Sequence, residues 1–149
     1  MGAAEEAIVN EFMEAWGDGS QEQPDVEKIL ALFTEDAVWQ LWIPGGPTLQ
    51  GREAIRVDIE RQVKFATFMQ CGLLQMASSG GTVFTERLDH FRTKRGTVDH
   101  HLVAVFEVTP EGRISAWREY FDPEDVNRDR KSTRLNSSHI QKSRMPSSA

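Results

Sequence analysis

Three side chains in this sequence have the types and spacing for acid–base chemistry: Arg87, Asp89 and Glu119. The first two stand in "TVFTERLDHF", Thr82 to Phe91. Read as a strand, this stretch places Val83, Thr85, Arg87, Asp89 and Phe91 on one face, because side chains alternate sides at every residue. Glu119 stands in "RISAWREYF", where Trp117, Glu119 and Phe121 share a face. On the intervening "TVDHHLVAVFEV", His100, Leu102, Ala104, Phe106 and Val108 share the more apolar face. If the three faces are one side of a sheet, Arg87, Asp89, His100 and Glu119 all project into an otherwise apolar pocket.

That juxtaposition has a definite chemical meaning. Two carboxyl groups close together in an apolar site resist joint ionisation, so one tends to keep its proton near neutral pH. An arginine between them can hydrogen-bond to both and set their geometry. The result is an acid and a base in one dry cavity, with no metal or cofactor called for. The plainer alternative is a cross-strand ion pair on a solvated face, and spacing alone favours it. The opposite faces are also partly apolar (Phe84 and Leu88; Val103 and Val105), so a buried oligomer surface competes with the pocket.

Other candidates carry less. His100 and His101 point to opposite faces, so at most one enters the pocket, and His90 faces away from Asp89. Cys71 has no evident base partner and no second cysteine, which excludes an intrachain disulfide and any cysteine-rich zinc site. "SSGG", Ser78 to Gly81, lacks the following helix and Lys-Ser/Thr of a phosphate loop and reads as a turn.

The elements that must position these groups are legible from periodicity. "EEAIVNEFMEAWGDG" is an amphipathic helix, with Ile8, Phe12 and Trp16 at helical spacing and glycines at its end. "QEQPDVEKILALFTED" is a second helix, capped by Asp25, with Val26, Ile29, Leu30 and Phe33 as its stripe. "AVWQLWI" is a short strand, and "PGGPTLQG" is turn-rich. "REAIRVDIERQVKFATFM" is a third helix, with Ile55, Ile59, Val63 and Ala66 on one face. Four strands follow, "CGLLQMA" and the three above, joined by the hairpin-like "SSGG", "TKRG" and "TPEG". Helices first and a strand meander after indicate an α+β fold, with helices on one face of a curved sheet. Such a cone encloses a blind apolar pocket suited to a small molecule.

The 149 residues suit one domain with a real core. A net charge of −6 argues against nucleic acid. No apolar run is long enough for a membrane span, and "MGAAEEAIVNEF" has acids where a signal peptide has bases. A cytoplasmic location is the expectation. After Asn127 the composition changes: Asp129 to Ala149 is rich in Ser, Lys and Arg and lacks apolar periodicity. Asp129 to His139 back-translates to a sequencing-library adapter, and Ser143 to Ala149 to its continuation after an index. We therefore read residues 1–128 as a single catalytic domain. Residues 129–149 read as a non-native tail, translated from a fragment of, for example, an environmental (metagenome) library. That tail holds five of the 17 bases and one of the 23 acids, so without it the net charge deepens to about −10.

"TERLD" (Thr85 to Asp89), "AVFEV" (Ala104 to Val108) and "GRISAWREYFD" (Gly112 to Asp122) together resemble the limonene-1,2-epoxide hydrolase family. "FTEDAVW" and "GREAI" fit the same pattern. That family shares its cone-shaped fold with nuclear transport factor 2, ketosteroid isomerase and SnoaL-type cyclases. The resemblance implies an α+β roll: a cone-shaped, curved, mixed sheet packed by N-terminal helices. It implies one-step addition of water to an epoxide, with Asp89 as acid, Arg87 as bridge and Glu119 as base. The implied partners are a small apolar epoxide and water, with no cofactor and no metal, in a homodimer. The implied substrate-binding wall is Trp39, Leu41, Phe91, His100, Leu102, Phe106, Trp117 and Phe121. Four positions depart from the family. Glu119 replaces an aspartate, Trp39 and Leu41 (or Trp42, if the strand bulges) replace a water-holding Tyr-x-Asn, and His100 replaces an aliphatic residue. A SnoaL-like isomerase, cyclase or dehydratase using Asp89 and His100 is the alternative, followed by a non-catalytic binding module.

Overall fold

A computed structural model describes residues 2–20, 23–66 and 68–126. Residues 129–149, read above as a non-native tail, lie outside them. Three helices, α1 (Ala3–Trp16), α2 (Val26–Ala31) and α3 (Arg52–Phe65), accompany seven strands. The strands are β1 (Phe33–Ile43), β2 (Thr48–Gln50), β3 (Phe68–Gln70), β4 (Leu73–Ser79), β5 (Thr82–Thr93), β6 (Gly96–Val108) and β7 (Ile114–Tyr120). They form one sheet in the order β2-β1-β7-β6-β5-β3, with β4 also paired to β5. β1 and β7 are parallel and the other pairs antiparallel, so the sheet is mixed, and it curves without closing. This is the α+β roll expected from the sequence.

The helices bury the faces that periodicity selected. Val9, Phe12, Met13 and Trp16 of α1 are buried at helical spacing. Phe12 is the hub. Its ring meets Phe33, Phe106 and Trp117, from β1, β6 and β7, with centroids 4.8–6.0 Å apart, all edge-on. This cluster fills the narrow end of the cone. Asp25 caps α2 as expected, accepting from the Lys28 N–H at 3.2 Å. Gly80 and Gly81 both take positive φ in the β4–β5 hairpin, the conformation a tight turn needs and glycine supplies without strain.

Three boundaries differ from the sequence reading. α2 ends at Ala31, and Phe33 opens β1 instead of closing the helix stripe. Parallel pairing of Phe33 with Ile114, and the Ile114 N–H to Leu32 carbonyl bond of 2.7 Å, hold the chain extended there. α3 stops at Phe65, and Phe68 and Met69, read as the end of that helix, belong to β3 on the edge of β5 beside His90–Arg92. The turn-rich "PGGPTLQG" contains β2. In the first two cases the backbone bonds go to a strand remote in sequence, which local periodicity does not register, whereas β2 folds back on the preceding β1 through a short turn. Between β3 and β4, Gly72 lies so close to the Leu88 carbonyl that a Cβ would sit 2.3 Å from its oxygen. Only glycine allows β3 and β4 to run along one β5 edge there.

Candidate active site

The wide end of the cone is a cavity of about 450 Å³. Its polar floor comes from three adjacent strands. Across β5 and β6, Arg87 stands opposite Leu102 and Asp89 opposite His100. Across β6 and β7, Ala104 stands opposite Glu119. The three faces are therefore one side of the sheet. Arg87 crosses β6 to reach Glu119, and Ala104 between them presents only a methyl group, which leaves that path open.

Arg87 is 3% exposed and bridges both carboxyl groups. Its Nε donates to Asp89 Oδ1 at 3.1 Å and Oδ2 at 3.3 Å, and its Nη2 donates to Asp89 Oδ2 at 3.0 Å. The same Nη2 donates to Glu119 Oε2 at 3.1 Å. Asp89 thus accepts from two nitrogens and Glu119 from one. Burial pushes the Glu119 carboxyl up to about 7, and Asp89 adds to that, while Arg87 opposes it. The Trp117 indole also favours the anion, though it completes no hydrogen bond. Burial works against the Arg87 charge, but Asp89, Cys71 and Glu119 more than offset it, so the guanidinium stays charged. Burial and the neighbouring Asp89 charge thus keep a proton on Glu119 up to near neutral pH, against the pull of Arg87.

Of the residues expected to form the substrate-binding wall, Trp39, Leu41, Phe91, His100, Trp117 and Phe121 line the cavity. Leu102 and Phe106 do not. Both belong to the packed core, and Phe106 is covered by Phe12 of α1. Sequence alternation assigns a face but not a depth along it. A bulge in β1 between Gln40 and Ile43 turns both Leu41 and Trp42 to the cavity. Trp39 pairs with Trp117 across β1–β7, their rings stacked at 4.0 Å and 4°. The indole nitrogens of both are buried without partners, as are Arg87 Nη1 and His100 Nε2. Lining residues missed from the sequence include Trp16, Met69 and the end of α3 at Gln62, Phe65 and Ala66. Only the docking of these elements over the sheet brings them there.

His100 rests edge-on against Phe121, ring centroids 4.2 Å apart. Burial lowers its pKa to about 4, more than Asp89 raises it, so the ring is neutral at ordinary pH. Burial, and next the Asp89 charge, push the Cys71 thiol up, so it stays protonated. His90 and His101 turn to the other face, where they meet Asp99 and Glu86. Among the described residues, no three His, Cys, Asp or Glu side chains are grouped to hold a metal ion, and no helix is long and apolar enough to cross a membrane.

The buried titrations leave a signature in stability. Glu119 holds its proton more tightly folded than unfolded, so its contribution falls as pH rises from 4.5 towards about 7. His100 resists protonation when folded, so its contribution falls as pH drops from 6.5 towards about 4. Each is worth on the order of 3 kcal/mol at full extent, and the opposed slopes offset one another where the windows overlap. His100→Leu removes one of them. Its urea midpoint is expected to fall steadily as pH rises across that window, while the parent stays nearly flat. A flat curve for the variant would remove the Glu119 shift from the account, and curves parallel to the parent's would remove the His100 shift.

The description of the limonene-1,2-epoxide hydrolase catalytic domain matches residues 4–131. Solved structures share the fold. One is a limonene-1,2-epoxide hydrolase-like epoxide hydrolase from M. tuberculosis, 24% identical, with TM-score 0.71 over 85% of this chain and 89% of that one. SalBIII, an epoxide hydrolase/cyclase-like enzyme of pyran ring formation in the polyether salinomycin, is 24% identical, with TM-score 0.71 over 83% and 94%. A putative SnoaL-like polyketide cyclase from Shewanella denitrificans is 14% identical, with TM-score 0.72 over 86% and 97%.

Proposed function

The chain belongs to the limonene-1,2-epoxide hydrolase catalytic-domain family, and from that premise we propose that it adds water to a small apolar epoxide, giving a vicinal diol in one step. The observation that carries this reading is the buried Arg87 bonded at once to Asp89 and Glu119 on the floor of an apolar cavity. One carboxyl gives a proton to the opening oxygen while the other takes one from the attacking water. The water–carbon bond forms as the carbon–oxygen bond breaks, and the pair ends with the one proton it began with. The aromatic walls bind the hydrocarbon part and keep other water out. No cofactor enters the scheme. A limonene-type epoxide suits a cavity of about 450 Å³ with such walls.

Incubation with limonene-1,2-epoxide or cyclohexene oxide in oxygen-labelled water tests this. One labelled oxygen per diol is expected. Turnover is expected to fall on the alkaline side with a midpoint near 7, as the last proton leaves the pair. Absence of diol from a panel of apolar epoxides would remove the reading. A second reading, a cyclase, isomerase or dehydratase, is favoured by His100 beside Asp89 in the cavity. In a cyclase, an internal hydroxyl would replace water, and the product would carry no label. A cytoplasmic homodimer fits either reading. Exposed Phe84, Val103 and Tyr120, on the sheet face away from the cavity, are a surface a second copy would cover.

A further inference from the structure

The two ends of the polar floor offer a reactant different things. Glu119 shares its side of the cavity with the Trp39–Trp117 stack and Leu41. An indole N–H donates and accepts nothing, and leucine does neither. A water placed there would find Glu119 as its one acceptor among these groups. A nucleophilic water needs both its hydrogens held, so that a lone pair points at carbon. An epoxide oxygen placed there meets the opposite situation, because it needs donors as charge develops on it. The indole nitrogens of Trp39 and Trp117 are buried donors without partners.

On the other side, Asp89 accepts hydrogen bonds from two nitrogens of Arg87. His100 stands directly opposite it on β6, and His100 Nε2 is buried without a partner in a residue that lines the cavity. A neutral ring protonated on Nδ1 presents Nε2 as an acceptor. Asp89 and His100 together therefore supply the two acceptors that Glu119 and its indoles do not.

Within the hydrolase reading, on which this rests, we propose that the reaction runs from the Asp89 side to the Glu119 side of the Arg87 bridge. Asp89 takes one proton from water while His100 Nε2 accepts a hydrogen bond from the other. Glu119 donates to the epoxide oxygen, and the Trp39 and Trp117 N–H groups stabilise that oxygen as it opens. The electron pair of the breaking carbon–oxygen bond goes to this oxygen, which takes the Glu119 proton. Asp89 ends protonated and Glu119 ionised, and proton exchange with solvent resets the pair. This is the reverse of the direction that the family resemblance implies. It follows from the lack of a second acceptor among the Trp39, Trp117 and Leu41 side chains beside Glu119 and from the place of His100 opposite Asp89. His100 acts directly on the water in this scheme.

Azide distinguishes the two directions because it attacks carbon without a base but still requires an acid for the opening oxygen. With cyclohexene oxide, added azide is expected to raise turnover of Asp89→Asn about tenfold or more and yield the azido alcohol, and to leave Glu119→Gln inactive. Azido alcohol from Glu119→Gln alone would overturn the proposed direction and leave the hydrolase reading intact, since the parent still makes diol. A parent that makes no diol from any epoxide would overturn both. A measurement free of turnover guards against misfolded variants: carboxyl NMR of the parent chain, labelled in glutamate only or in aspartate only. Arg87, Asp89 and Cys71 are the titratable or charged groups acting on Glu119. One glutamate is expected to remain protonated at slightly acidic pH while every buried aspartate signal is ionised. A protonated buried aspartate beside fully ionised glutamates would overturn the proposal.

Discussion

Arg87→Met is expected to abolish turnover and to destabilise the fold at neutral pH by about 3–5 kcal/mol, the usual cost of leaving buried charge without its partner. The guanidinium is 3% exposed and, among the described residues, supplies the side-chain hydrogen bonds that Asp89 and Glu119 accept. Methionine fills much of the volume but leaves two buried carboxyl groups facing one another. They must then take up protons or open the site to water. Both would bind protons more tightly folded than unfolded, so the variant should regain stability as pH falls. Arg87→Lys keeps the charge but not the planar fork, so it should recover stability more than activity. Urea unfolding of all three proteins at mildly acidic and mildly alkaline pH checks this. An Arg87→Met protein as stable as its parent at alkaline pH would mean that the bridge carries neither charge nor structure.

Asp89→Asn is expected to lower kcat by about 10²–10⁴-fold with little change in KM, the usual range for losing a positioned acid or base. The substitution keeps the shape of the side chain, and its amide oxygen can still accept from Arg87, so the fold should persist. Glu119→Gln should cost a similar factor. Because the two carboxyl groups act on one concerted step, the double variant should be little worse than the poorer single one. Steady-state kinetics on one epoxide, with circular dichroism as a check on folding, gives the comparison. Full activity in either single variant would exclude that residue from the proton transfers. Multiplicative losses in the double variant would indicate two independent steps, contrary to a push–pull mechanism.

The meander is legible in the sequence because its signals are local. Period-two alternation from Thr82 to Phe91 and glycine turns between the strands need no knowledge of the rest of the chain. The burial of Val83, Thr85, Arg87 and Asp89 on one side follows that alternation. Helix faces were legible for the same reason, from Phe12 and Trp16 in α1 to Ile55 and Ile59 in α3. The errors cluster where a segment's partner is remote. Phe68 and Met69 read on from α3 yet pair with β5, and Phe33 continues the stripe of α2 yet pairs with Ile114. Leu102 and Phe106 lie on the expected face but belong to the packed core, where Phe12 of α1 covers Phe106.

The amino-acid sequence alone determined which residues share a face: Arg87 with Asp89, Trp117 with Glu119, His100 away from His101. That is a consequence of backbone pleating, which repeats every two residues whatever the fold. Tertiary structure alone decided that these faces meet, because register between β5, β6 and β7 sets Asp89 opposite His100 and lets Arg87 reach Glu119 over Ala104. It also decided how unequal the two carboxyl groups are. Composition and spacing treat an aspartate and a glutamate as near equivalents. Two hydrogen-bonding nitrogens at Asp89, one at Glu119, and stacked indoles on the Glu119 side separate them, because charge in a dry site is governed by the few groups within contact distance.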